Sequence, residues 1–131
     1  MGPLKSDKLM NEQMKNNKAL KNFYLETLHI CSLETRTHEC DDDISSMIFE
    51  DLNIGLTGSF FPGNLQILRD ISFITEFEFV LSLKVYKQFN TIQHSENEWS
   101  VKAFRKSEHW KYLLMLLDLI KYEFANRELE N

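Results

Sequence analysis

Beyond Gly63 the chain has neither glycine nor proline for 68 residues, through to Asn131. Tight turns and helix breaks draw on those two residues, so their absence argues against a loop-rich second half and favours long helices there. Cysteine is scarce as well. Cys31 and Cys40 are the only two, too few for a disulfide framework in a chain with leucine and phenylalanine enough to build a core. An intracellular compartment, cytoplasmic or nuclear, is the expectation. Long apolar runs are missing too: the densest, Tyr112 to Ile120, covers nine residues and contains Asp118, whereas a bilayer span needs about 20. The opening Met1-Gly2-Pro3-Leu4-Lys5-Ser6 lacks a secretory stretch and reads as the start of a polar leader before a domain taken from something larger.

Positive charge is nearly absent from the middle. Residues 41 to 80 hold eight acids against the single cation Arg69, while residues 1 to 40 and 81 to 131 each carry a net charge of plus 1. The acids are Asp41, Asp42, Asp43, Glu50, Asp51, Asp70, Glu76 and Glu78. Such a region repels a phosphate backbone, which disfavours nucleic acid, and a basic protein segment is the charged partner that it would suit. The one basic cluster, Lys102, Arg105, Lys106 and Lys111, is interleaved with Glu98 and Glu108 and reads first as a solvated helix surface.

What is present is helical periodicity. Residues 1 to 17, rich in Lys, Asn, Met and Gln, are expected to be a flexible polar leader, and residues 18 to 131 a single helical domain. Leu20, Phe23, Tyr24, Leu28 and Cys31 form a stripe that predicts a helix over residues 18 to 33. Asp43 stands where a cap would begin a short helix over 44 to 52, with Ile44, Met47, Ile48 and Leu52 inward. Gly55, Gly58, Pro62 and Gly63 then read as turn residues around Phe60 and Phe61. Residues 64 to 90 satisfy two periods at once. A helix kinked or split near Thr75 is the preferred reading, because no turn residues divide the segment into a hairpin; a strand over 77 to 86, giving an α+β fold, is the alternative. Ser95 and Glu98 have capping-box spacing, which predicts a helix start there, and Ser107 predicts another helix from Glu108 to about Glu128. The fold expected is mostly α, a compact bundle of about five helices.

No reaction centre emerges. His29, Cys31, His38 and Cys40 are zinc-ligand types, but residues 29 and 31 lie on opposite sides of a helix and do not converge. An EF-hand loop from Asp41 would need glycine at 46 and an acid at 52, where the chain has Ser46 and Leu52. Gly55-x-x-Gly58 lacks the remainder of a phosphate-binding loop. Neither cysteine has the context of a nucleophile, and His94 and His109 are isolated. No metal or cofactor is therefore expected.

The leading reading is a non-enzymatic protein-interaction domain, an adaptor or complex subunit that binds a partner or itself through exposed apolar and acidic surfaces. Its candidate contact residues are Phe60 and Phe61, as an aromatic pair on a glycine-flanked loop, and Tyr112, Leu116 and Leu119, which widen the last helix's apolar surface beyond one stripe. Phe60 and Phe61 have a second role open to them, as plugs of the core. Two alternatives stand beside this reading. One is a small enzyme or ligand-binding domain with a site assembled in space, for which Asp118, Tyr112 and His109 are the residues to inspect. The other is a nucleic-acid module using the basic cluster over 102 to 111.

Overall fold

The computed structural model describes the backbone of residues 2 to 130 and the side chains of residues 12 to 127. Among the described residues the chain is 79% helical without strands, in seven helices of which five have seven residues or more. None is long and apolar enough to cross a membrane.

Helix α1, Gly2–Leu28, starts well before Lys18. Its side chains from Glu12 to Ala19 stay exposed apart from half-buried Asn17, so the polar stretch is an arm of helix. Tyr24, Thr27 and Leu28 bring it into the core. The short α2, Thr35–His38, follows a turn in which the Ser32 amide donates to Thr35 Oγ1 at 2.9 Å.

Helix α3 is continuous from 41 to 58, α-helical over Asp41–Ser46, π-helical over Met47–Leu52 and α-helical over Asn53–Gly58. Cys40, not Asp43, takes the cap position, so Asp41, Asp42 and Asp43 all occupy the first turn at the positive end of the helix dipole. Ile44, Ile48, Leu52 and Leu56 are all buried. A strict four-residue repeat drifts about 40° per step around a straight α-helix. The π turn, closing on i→i+5, holds more residues per turn and keeps the repeat facing the core. The helix therefore runs past Asn53, and Gly55 and Gly58 are helical contact residues rather than turn residues. A Cβ on Gly55 would lie 2.4 Å from Thr27 Oγ1, and one on Gly58 would lie 2.7 Å from the Phe23 ring.

Pro62 opens α4, Pro62–Asp70, at a position whose missing amide hydrogen costs nothing. The helix stops at Ser72, whose φ of 62° is left-handed, while the Phe73 amide folds back to Leu68 O at 2.9 Å. Thr75 then caps α5, Glu76–Gln93, in a full capping box: the Glu78 amide donates to Thr75 Oγ1 at 3.1 Å, and the Thr75 amide to Glu78 Oε1 at 2.9 Å. The segment is thus split at the expected place. The alternative strand over 77 to 86 is overturned, because the segment is helical and Leu81, Val85, Phe89 and Ile92 reach the core at steps of four, four and three.

No helix starts at Ser95. Its hydroxyl instead donates to Thr91 O at the end of α5, while Glu98 accepts from the Trp110 indole through its carbonyl and from the Ser107 hydroxyl through its carboxylate. Ser100 caps the short α6, Val101–Lys106, and Ser107 accepts the His109 amide at the start of α7, Glu108–Glu130. Helices α5 and α7 form the largest contact between elements. They run antiparallel: Gln88 Nε2 donates to His109 O at 2.9 Å near one end, and Arg127 Nη2 to Glu78 Oε1 at 2.8 Å near the other. To the core these two helices contribute Val85, Phe89, Trp110, Leu113, Leu114, Leu117 and Ile120, all buried. Each such side chain removed from water contributes ~1.5–3 kcal/mol before entropy is counted.

Candidate functional site

Helix α7 has two apolar faces. The inner one is closed by the core; the outer one carries Tyr112, Met115, Leu119 and Tyr122, exposed to 45%, 48%, 39% and 61%. Their spacing of three, four and three residues is that of a and d positions in a heptad, so they lie in one line along the helix. Leu116, only 6% exposed, forms the floor beside them. Leu33, from the turn between α1 and α2, faces the line, and together these residues with Asp118 enclose an open depression of about 570 Å³. Asp118 is its only charged lining residue.

The wall is held in place by polar contacts beneath it. The Leu33 amide donates to Asp118 Oδ2 at 3.1 Å; Lys121 Nζ lies 3.1 Å from Asp118 Oδ1 and donates to Cys31 O at 2.9 Å. Asp118, the odd polar residue of the last helix, thus fastens the α1–α2 turn to α7. On the opposite rim Tyr112 also borders a smaller groove of about 280 Å³ with Lys84, Lys87, Gln88 and Thr91 of α5. Neither lysine has an ion-pair partner among the described residues.

Of the residues singled out in sequence, Tyr112, Leu116 and Leu119 meet at this depression. The aromatic pair divides. Phe60 is fully buried, stacked on Tyr24 with ring centroids 4.8 Å apart, and does not reach the surface. Phe61 is 50% exposed with its ring set edge-on to Tyr86, and it is not part of the α7 depression. Met115, Tyr122, Leu33 and the two lysines were missed. The line Tyr112, Met115, Leu119, Tyr122 was open to a heptad count; Leu33 had no sequence signal, since a turn 79 residues earlier supplies it.

Other chemistry is less developed. Among the described residues no three His, Cys, Asp or Glu side chains are grouped to hold a metal. His29 and His38 each place Nδ1 on the carbonyl four residues back, at 2.8 and 3.0 Å. Cys31 is buried, and burial pushes its thiol up to about 12, well away from a reactive thiolate. Tyr112 and Asp118 share the depression, but His109 is outside it and the Asp118 carboxylate is engaged with Leu33 and Lys121. The basic cluster is dispersed. Arg105 clamps Asp41 at 2.7 Å and donates to the carbonyls of Arg36 and Glu39, which leaves Lys102 and Lys106 on an open hollow shared with Glu98. On α3, Asp42, Asp43, Glu50 and Asp51 are exposed and make no ion pair among the described residues. No protein-family model, curated protein or solved structure matches the chain.

Proposed function

We propose that this chain is a non-enzymatic protein-interaction domain, an adaptor or complex subunit, whose docking surface is the outer face of α7. The observation behind it is the line of Tyr112, Met115, Leu119 and Tyr122, each at least 39% exposed, beside an apolar depression. Aromatic and methionine side chains grouped in this way are the usual anchors of protein interfaces, and removing them from water is worth ~25 cal/mol per Å² of apolar surface. The unpaired acids along α3 give the domain a second, purely electrostatic surface that would select partners by charge and contribute chiefly to the rate of encounter.

A photo-crosslinking amino acid placed at Tyr122 tests the docking face in cells, with the same group at exposed Thr57 on α3 as the control. The expected result is a discrete protein adduct from position 122 that is absent from position 57 and lost when Leu119→Glu is added. No adduct, or equal adducts from both positions, would overturn the reading.

A further inference from the structure

We infer that the occupant of the α7 face is a second copy of this chain, packed antiparallel so that α7 lies against α7 about a two-fold axis near the level of Leu117. The inference rests on the reading of α7 as a docking face and names its partner.

The first argument is the order of the exposed residues. Read from either end, the line is aromatic, aliphatic, aliphatic, aromatic, with gaps of three, four and three: Tyr112, Met115, Leu119, Tyr122. A two-fold interface must be self-complementary, each residue i meeting j while j meets i. Antiparallel pairing of this line sets Tyr112 against Tyr122 of the mate and Met115 against Leu119 of the mate, which is also the a-to-d pairing of antiparallel helices. Both contacts then occur twice.

Charge supplies the second argument. His109, Leu116 and Glu123 recur at seven-residue steps and so share one rim of α7; Gln88 bonds His109, which identifies that rim as the side facing α5. A two-fold axis lying in the interface and perpendicular to α7 keeps the α5 rim of one copy beside the α5 rim of the other and reverses the helix direction. Glu123 of one copy therefore arrives at the level of Tyr112 in its mate, where Lys84 and Lys87 border the groove. None of these three has an ion-pair partner within its own chain among the described residues. A parallel pair, with its axis along the helices, would instead set the two α5 rims on opposite sides and keep Glu123 level with Glu123, away from the lysines of the mate.

The line from Tyr112 to Tyr122 is only ~15 Å long at 1.5 Å per residue. So short a contact gives a transient dimer with a dissociation constant on the order of tens of micromolar.

Sedimentation equilibrium of the purified full chain, from about 1 to 500 µM, brackets that range. The expected result is a concentration-dependent dimer that Leu119→Glu and, separately, Met115→Glu each convert to monomer with unchanged far-UV circular dichroism. At low salt Glu123→Lys, and the pair Lys84→Glu with Lys87→Glu, should each weaken the dimer about tenfold, and all three changes together should restore it. A chain monomeric throughout, or a dimer indifferent to both α7 substitutions, overturns the inference. A combined charge variant no tighter than the single reversals overturns the antiparallel register. A monomeric chain whose crosslinker at position 122 still captures a different protein removes the second copy and leaves the docking face standing; a monomer without any adduct removes both.

Discussion

The two cysteines show how far environment separates residues of one type. Cys40 is exposed at the cap of α3, whereas Cys31 is enclosed in the core beside Lys121 and Asp118. The helical stripe in the sequence already placed Cys31 inside; nothing there indicated that its carbonyl would hold Lys121, because the lysine lies 90 residues away. Burial pushes the Cys31 thiol up to about 12 from an ordinary value of 9.0. The native chain therefore keeps a proton that the unfolded chain releases above about pH 9, so the stabilisation is complete below that pH and is lost as pH rises toward 12. Tyr24, raised by burial as well, acts in the same direction above about pH 10. Urea midpoints measured from about pH 8 to 10.5 should fall for the natural chain and fall less steeply for Cys31→Ala. Equal slopes would mean that Cys31 titrates normally in the folded protein. Among charged residues, Glu78 was the least legible. It reads as one more acid of the acidic middle, yet it is buried, completing the α5 cap and pairing with Arg127.

At the scale of elements, the helices were legible where one period dominated and misread where a motif had two uses. Thr75-x-x-Glu78 and Ser95-x-x-Glu98 offer the same capping-box pattern. The first is followed by Phe77, Phe79, Val80 and Leu81, and it opens a helix; the second leads through Asn97, left-handed at φ 69°, and opens none. Partners make the difference, because the Ser95 hydroxyl is engaged with Thr91 O and the Glu98 carboxylate with the Ser107 hydroxyl, so neither closes a box even though Trp99, Val101 and Phe104 follow. The glycines of α3 were misread for a related reason. Glycine in a sequence marks either a turn or a place where two backbones come close, and only the neighbour decides which. Here the neighbour is Thr27 of α1, with its Oγ1 2.4 Å and Cγ2 2.6 Å from where a Gly55 Cβ would stand. Ser59 Oγ, 3.1 Å from Thr27 Oγ1 and 2.8 Å from Gly55 O, closes the same junction. Alanine in place of glycine within a helix ordinarily stabilises by roughly 0.5–1 kcal/mol. For Gly55→Ala the sign should reverse, with a loss of ~1–3 kcal/mol as α1 and α3 are forced apart. Chemical denaturation measures this directly, and adding Thr27→Gly should recover part of the loss by clearing the side chain that obstructs.

Over the whole molecule, the mostly helical architecture and the charge partition could be read from the chain, and the interior arrangement of its aromatics could not. Those aromatics form two groups. Tyr24 stacks on Phe60 and contacts Phe73 and Phe124, while Trp99 lies against Phe49, Phe89 and Trp110, and Trp110 against Phe104. Helices α5 and α7 connect the groups with a continuous row of buried aliphatics, among them Leu81, Val85, Leu113, Leu117 and Ile120. Both tryptophans belong to one group, so their fluorescence reports that region, whereas far-UV circular dichroism reports every helix. If the two groups behaved as separate units, fluorescence would change at one urea concentration and helicity over a broader or displaced range. A core joined by α5 and α7 cannot lose one group and keep the packing of the other, so the chain should unfold as a single cooperative unit. The two transitions are expected to coincide within error, and the same coincidence should hold for Gly55→Ala, which acts at the contact with Thr27 of α1 rather than on a ring that packs against either tryptophan. Separated transitions in the natural chain would divide residues 18 to 131 into two folding units rather than one.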